Sequence, residues 1–89
     1  MISHTTKSFR KLFRELPPDV QKTAYKAYKL WRENERHSSL EFKQVHKIQP
    51  IFSVRISLGW RAVGIKKETT MIWYWVGSHN DYDKLLNQL

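Results

Sequence analysis

The spacing of hydrophobic positions divides the chain into a helical first third and a strand-rich remainder. Over residues 8–16 apolar side chains recur at helical spacing, and Thr6 or Ser8 is suited to cap the first turn. The prolines at 17–18 end this helix and suit the first turn of a second one, which runs to about Asn34. The pattern predicts a helical hairpin whose lysines lie on the solvated side.

Strict alternation of apolar and polar residues begins after the helical hairpin. Residues 52–57 alternate Phe, Val and Ile with Ser, Arg and Ser, as in a half-buried strand, and a tight turn follows at 58–59. The predicted strands cover about 40–45, 52–57, 60–66 and 70–76, with a break at 77–78 and a short helix over 81–89. We therefore expect residues 1–89 to form one α+β domain. Its N-terminal α-hairpin would pack on a three- to four-stranded antiparallel sheet, followed by the short C-terminal helix.

The last predicted strand is apolar on both of its faces. In regular alternation Trp73 and Trp75 share one face, whereas Ile72, Tyr74 and Val76 share the other. A strand of this kind is either central in its sheet or meets a partner with its second face. We expect a central strand, and the alternative is an aromatic wall for nucleic-acid bases or a protein partner.

The charge of the chain is strongly positive and unevenly distributed. Its 89 residues include 16 Lys and Arg against 8 Asp and Glu, a formal net charge of +8. Residues 36–67 contain seven basic side chains and a single acidic one, whereas only one lysine follows Glu68. This distribution suits a polyanionic or acidic partner, and plain solubility is the alternative.

Several classes of protein are disfavoured by what the sequence lacks. The chain has no cysteine, which excludes thiolate catalysis, disulfides and thiolate metal sites. No apolar run approaches the roughly 18–20 residues of a membrane span, and the first residues lack the apolar core of a signal peptide. No pair of His, Asp or Glu has convincing ligand spacing on one element, so we expect neither a metal nor a cofactor. A cytoplasmic protein is the default expectation.

Four side chains near the C-terminal strands form a candidate site for a phosphodiester. Arg55 and Arg61 supply two permanent cations, and Arg61 shares the strand face of Val63, where a charge must be paired or emerge at a strand end. His79 follows the last strand and belongs to the residue type that exchanges protons near neutral pH. Tyr82 adds a phenol three residues further on.

Four segments of the sequence together resemble one known family. They are L-P-P-D-V at 16–20, H-S-S-L-E-F-K-Q-V at 37–45, V-R-I-S-L-G-W-R at 54–61 and W-V-G-S-H-N-D-Y-D at 75–83. In this order and at this chain length they resemble the RelE/ParE superfamily of toxins from type II toxin–antitoxin modules. The resemblance implies a helical hairpin on a twisted antiparallel sheet. It also implies a concave basic face that takes mRNA in the ribosomal A site, and a cognate antitoxin that wraps the toxin and either masks this face or displaces an element of it.

The resemblance also implies roles for the candidate side chains in cleavage of RNA without a metal. His79 would exchange protons with the 2′-hydroxyl or the 5′-oxygen leaving group, and Arg61 would clamp the scissile phosphate. Arg55 would be a second clamp or a backbone contact, and Tyr82 would stack a base, assist proton transfer or simply cap the core. The candidates for phosphate tracking along the RNA are Lys43, Lys47, Lys66 and Lys67.

Three functions remain open on the sequence alone. The first is a ribosome-dependent mRNA endoribonuclease, which a histidine beside two arginines favours. The second is a ParE-like inhibitor of DNA gyrase, because members of this superfamily differ in their targets and Val54 and Ile56 stand where some relatives carry basic residues. The third is a non-catalytic module whose basic face binds nucleic acid or an acidic partner.

Overall fold

Three helices pack on a five-stranded mixed sheet in the computed structural model, which describes all residues 1–89. In chain order the elements are β1 (Ile2–Thr5), α1 (Lys7–Arg14), α2 (Pro18–Glu33), β2 (Lys43–Gln44), β3 (Ile51–Ser57), β4 (Trp60–Lys67), β5 (Thr70–Ser78) and α3 (His79–Gln88). A 3₁₀ turn at Ser38–Leu40 joins α2 to β2, and the strand order is β1-β5-β4-β3-β2. The α+β class predicted from the sequence is confirmed.

The helical hairpin forms as its sequence predicts. The Thr6 hydroxyl caps α1 by accepting a hydrogen bond from the backbone N–H of Phe9 at 3.1 Å. The second proline opens α2, and the Gln21 side chain donates to the carbonyl of Phe13 at 3.2 Å and to that of Leu16 at 3.1 Å. The Gln21 side chain thus ties the start of α2 to carbonyls at and just after the end of α1.

The sheet contains one strand that the sequence did not predict. β1 pairs in parallel with β5, with Ile2 opposite Thr70 and Thr5 opposite Trp73, so the sheet is mixed and not wholly antiparallel. β1 is an edge strand of four mainly exposed residues. It carries no alternating apolar face, which is the signal by which strands are found in a sequence.

The central position of β5 is confirmed, but the predicted arrangement of its tryptophans is wrong. β5 lies between β1 and β4. Gly64 pairs with Trp73 while the preceding Val63 pairs with Trp75, so β5 carries an extra residue at a β-bulge. Trp73 therefore packs under α1 and α2, whereas Trp75 packs on the opposite face. A Cβ atom on Gly64 would lie 2.6 Å from the carbonyl oxygen of Ile72, so the bulge needs glycine here.

Each face of the sheet has its own hydrophobic core. The larger core lies between the sheet and the helices α1 and α2, and its buried side chains include Val20, Trp31 and Trp73. The smaller one lies beneath α3 and contains Ile51, Val63 and Tyr82, with Leu85 and Leu86 of α3 packed against it as predicted. Burial raises the pKa of Tyr74, which borders the smaller core, because the phenolate would lose its hydration. None of the three helices has the length and apolar character that crossing a membrane requires.

Candidate active site

A polar pocket of about 190 Å³ opens on the α3 side of the sheet. We call it the arginine pocket, and its lining residues are Glu41, Lys43, Ser53, Arg55, Arg61, His79 and Tyr82. All four side chains predicted from the sequence to form the chemical site thus line one pocket. Three permanent cations face a single carboxylate there, so the pocket is suited to an anion.

The two arginines lie directly opposite each other on neighbouring strands. The register of β3 and β4 pairs Arg55 with Arg61, and a β-bulge follows between Arg55 and Ser57. Like charges in this arrangement are destabilising unless each finds a partner. Arg55 contacts the Glu41 carboxylate at 3.3 Å, and Nη1 of Arg61 donates to the carbonyl oxygens of Ser57 at 2.6 Å and Trp60 at 2.9 Å. Each guanidinium keeps further N–H groups for a bound anion, since arginine carries five donors.

His79 is the first residue of α3, whereas the sequence predicted a break at 77–78 and a helix from Asp81. The strand passes into the helix without a loop because the Ser78 hydroxyl caps α3, accepting from the backbone N–H of Asp81 at 3.2 Å. The backbone N–H of His79 donates to the carbonyl of Gly59 at 2.8 Å. This bond ties the start of α3 to the turn between β3 and β4, and it holds the histidine beside the arginines.

Tyr82 is a buried anchor of the pocket floor. Only 6% of the residue is exposed, and its hydroxyl donates to Oγ of Ser53 at 2.9 Å. Its ring centroid lies 5.9 Å from that of His79 and 6.5 Å from that of Trp75. A ring enclosed in this way offers no open face to a base, so the geometry favours core capping over base stacking.

Replacing Tyr82 with phenylalanine is expected to lower the free energy of unfolding by about 1–3 kcal/mol, because the buried Ser53 hydroxyl loses its donor. Urea denaturation of the purified proteins measures this difference. The control is Tyr25→Phe. Tyr25 is 66% exposed, so removing its hydroxyl should leave the urea midpoint of unfolding unchanged. Equal stability of Tyr82→Phe and the parent would show that the hydrogen bond contributes nothing.

Only one of the four predicted phosphate-tracking lysines lines the arginine pocket. Lys43 does so. Lys47 is exposed in the turn after β2, and Lys67 is exposed at the end of β4 remote from Arg61. The ammonium of Lys66 lies 5.5 Å from the ring centroid of Phe52, which packs on the opposite face of the sheet. The structure therefore does not bring these lysines together as one track.

Glu41 and Ser53 belong to the pocket but were not selected from the sequence. Glu41 has φ 43°, in the left-handed region that residues other than glycine rarely adopt. This backbone conformation ends the 3₁₀ turn and accompanies the ion pair between the carboxylate and Arg55. A signal was present, because Glu41 is the single acidic residue in the basic stretch 36–67. Such backbone outliers cluster at functional sites.

A second, larger cavity lies on the opposite face of the sheet. This apolar groove has a volume of about 720 Å³ and lies between β1, the helical hairpin and the sheet. Eleven of its 16 lining residues are hydrophobic, among them Phe9, Phe13 and Tyr28. Arg10 and Arg14 of α1 add positive charge to its lining. The larger cavity is therefore suited to an apolar partner, and the chemical groups are concentrated in the smaller one.

Comparison with known proteins identifies the class to which this fold belongs. The family model described as the ParE-like toxin domain matches residues 18–84. The chain belongs to this family, within the RelE/ParE superfamily of toxins from toxin–antitoxin systems. The family resemblance inferred from the sequence is confirmed. Comparison with curated proteins gave no match.

Solved toxin structures have the same fold at low sequence identity. The RelB–RelE antitoxin–toxin complex from Methanococcus jannaschii matches with a TM-score of 0.72 and 13% identity, over 91% of this chain and 95% of that chain. The RelBE2 toxin–antitoxin complex from Mycobacterium tuberculosis matches with a TM-score of 0.67 and 22% identity, over 88% and 96%. The isolated E. coli RelE toxin matches with a TM-score of 0.65 and 15% identity, over 98% and 96%. These similarities are in fold.

Proposed function

We propose that this toxin is a metal-free, ribosome-dependent endoribonuclease that cleaves mRNA in the ribosomal A site and so inhibits translation in the cytoplasm. One observation carries the proposal: the arginine pocket joins a directly opposed pair of arginines to a half-exposed histidine. Two permanent cations suit a phosphate whose charge increases in the transition state, and the histidine suits proton transfer.

The proposed reaction is an internal transfer of the phosphodiester. A base removes the proton of the 2′-hydroxyl, the 2′-oxygen forms a bond to phosphorus, and the bond from phosphorus to the 5′-oxygen breaks. An acid then protonates the 5′-oxygen, which leaves a 2′,3′-cyclic phosphate and a 5′-hydroxyl. We assign proton exchange to His79, and we assign stabilisation of the phosphorane to Arg55 and Arg61.

The contacts that hold the arginines are compatible with binding of a phosphate. The side chains of Arg55 and Glu41 are 33% and 47% exposed, and ion pairs at such exposure contribute little to stability. A phosphate oxygen is able to compete for this guanidinium. Arg61 is held through Nη1 alone, so its remaining donors are available while the turn carbonyls fix its direction.

Dependence on the ribosome is consistent with the small size of the arginine pocket. Its volume is about 190 Å³, and Tyr82, the one Phe, Tyr or Trp among its lining residues, is buried. The pocket thus lacks an exposed phenyl, phenol or indole ring on which a base of single-stranded RNA would stack. A toxin that has a phosphate site but no surface on which bases stack needs a second macromolecule to present its RNA substrate. A ribosome does so, because it presents one mRNA codon at a time in its A site.

We also infer that a cognate antitoxin is the protein partner. The complexes from M. jannaschii and M. tuberculosis are of toxin with antitoxin, and both share this fold. The apolar groove supports the inference, because exposed apolar surfaces of this kind mark sites of protein interaction. The net charge of +8 favours an acidic partner.

A second candidate function is the binding and inhibition of DNA gyrase without chemistry. One observation favours it: Arg55, Arg61 and Tyr82 each have a partner within the protein, as residues of a purely structural cluster would. Under this alternative, expression would relax plasmid DNA and leave transcripts intact.

Inducible expression in a heterologous bacterium distinguishes the two functions. We expect growth arrest with new transcript 5′ ends and unchanged plasmid supercoiling. Arg55→Ala is expected to reduce the cuts about 10–100-fold, because a hydrogen bond to a charged group is lost. The matched control Arg36→Ala removes an exposed arginine outside the arginine pocket and should cut as the parent does. Arrest with intact transcripts and altered supercoiling would transfer the assignment to gyrase.

A further inference from the structure

Asp83 lies one helical turn after His79 and contacts its imidazole. The distance from Nδ1 of His79 to Oδ2 of Asp83 is 3.2 Å. Residues four apart on a helix share one face, so the contact follows from the spacing in the sequence. The side chains are 44% and 58% exposed, and a pair at this exposure contributes little to stability. The contact matters for the chemistry of the histidine, because it occupies Nδ1, one of the two ring nitrogens.

The position of the His79 side chain is determined from several directions. Its backbone N–H is bonded to the carbonyl of Gly59, and its ring meets the edge of the Tyr82 ring. Tyr82 is itself bonded to the buried Ser53 on β3. With Nδ1 directed at Asp83, Nε2 is the ring nitrogen that remains for a substrate in the arginine pocket.

We propose that Asp83 is a positioning residue that holds His79 in the tautomer with the proton on Nδ1. A carboxylate accepts hydrogen bonds and donates none, so the nitrogen that faces it carries the proton. Nε2 is then unprotonated and able to accept a proton from the substrate. Where a carboxylate orients a histidine in this way, it selects the tautomer and stabilises the imidazolium that forms.

The electrostatic surroundings give Asp83 a second task. His79 is the first residue of α3, where the positive end of the helix dipole disfavours an added positive charge. Arg55 and Arg61 line the same pocket and act in the same direction. Asp83 supplies the nearby negative charge when the imidazole takes up a proton. Asp81 is two residues from His79 and does not share its helix face.

The tautomer can be read directly by long-range ¹H–¹⁵N NMR of the histidine side chains at a pH where they are neutral. The chain provides its own references, because Nδ1 of His37 accepts from the backbone N–H of Ser39 at 3.2 Å, and Nδ1 of His46 accepts from that of Gln49 at 2.8 Å. Both rings must carry their proton on Nε2. We expect His79 alone among these three to show the Nδ1–H pattern, and Asp83→Asn to remove it. An Nε2–H pattern for His79 in the parent would overturn the proposal.

The consequence for cleavage rests on the proposed function. With purified toxin on ribosomes programmed with mRNA, we expect Asp83→Asn to slow cleavage about 10–100-fold, by analogy with the loss of carboxylates that orient metal-bound histidines. Asp83→Glu should restore part of the rate because it restores the carboxylate. The control Asp81→Asn should cleave as the parent does, and the free energy of unfolding of each variant should stay close to the parent value, because these exposed charges contribute little.

The outcomes separate this proposal from the function on which it rests. If the parent shows the Nδ1–H tautomer but leaves mRNA intact, the endoribonuclease assignment is wrong and the contact between Asp83 and His79 stands. If the parent cleaves and Asp83→Asn cleaves at the same rate, the positioning role is wrong and the endoribonuclease assignment stands. A loss of rate in Asp83→Asn with the tautomer unchanged also contradicts the proposed mechanism.

Discussion

Replacement of His79 with alanine is expected to slow mRNA cleavage about 10²–10⁴-fold, which is the usual contribution of a well-placed acid or base. The arginines would still bind the phosphate, because neither is bonded to the histidine side chain. The variant should therefore bind programmed ribosomes about as tightly as the parent while cleaving far more slowly. Quenched-flow measurement of cleavage at saturating toxin separates the two effects, and growth on induction should be restored.

A second histidine provides the matched control for this substitution. His4 is an exposed residue of β1 that lines the apolar groove and lies outside the arginine pocket. His4→Ala changes the same chemical group and should leave the cleavage rate at the parent value. If His79→Ala cleaved within about twofold of the parent, general acid–base catalysis by this residue would be excluded, since even the low end of that contribution is about 10².

Replacement of Trp73 with alanine is expected to lower the free energy of unfolding by about 3–5 kcal/mol. Trp73 is 4% exposed, and its ring meets that of Trp31 at a centroid distance of 5.4 Å and that of Phe42 at 6.4 Å. Its removal leaves a cavity in the larger core, and the surrounding side chains of the sheet and α2 are too closely packed to move in and fill it. The free energy of unfolding of a native domain is only about 5–15 kcal/mol in total, so the variant should be close to unfolding. Urea denaturation followed by circular dichroism measures the change.

A more conservative change at the same position tests the reason for this loss. The indole N–H of Trp73 is buried and has no hydrogen-bond partner in the protein. Trp73→Phe keeps an aromatic ring and removes the unpaired donor, so it should cost clearly less than Trp73→Ala. A loss below about 1 kcal/mol for Trp73→Ala would show that Trp73 is not a main support of the larger core, because buried tryptophans truncated to alanine cost several times as much.

The general architecture was predictable because it depends on local spacing. Helical periodicity and two prolines define the hairpin of α1 and α2, and alternation defines β3. The tight turn at 58–59 then requires Arg55 and Arg61 to lie near each other on one face, as the register shows. These features involve residues within a few positions of each other, and the physics that determines them is visible in one stretch of sequence.

The features that were missed depend on contacts between distant segments. β1 owes its existence to pairing with β5, almost 70 residues later, as in the pair Ile2 and Thr70. The bulge that places Trp73 and Trp75 on opposite faces arises from the register between β4 and β5. The ion pair of Glu41 with Arg55 and the bond of Tyr82 to Ser53 likewise join elements that only the tertiary fold brings together.

The chemical ends of mRNA after incubation of the purified protein with programmed ribosomes test the endoribonuclease assignment. We expect cuts at the A-site codon that leave a 2′,3′-cyclic phosphate upstream and a 5′-hydroxyl downstream. We also expect the same mRNA to stay intact without ribosomes. Uncut mRNA on the ribosome, or a 5′-phosphate on the downstream fragment, would overturn the endoribonuclease assignment, because attack by the 2′-oxygen keeps the phosphate on the upstream fragment.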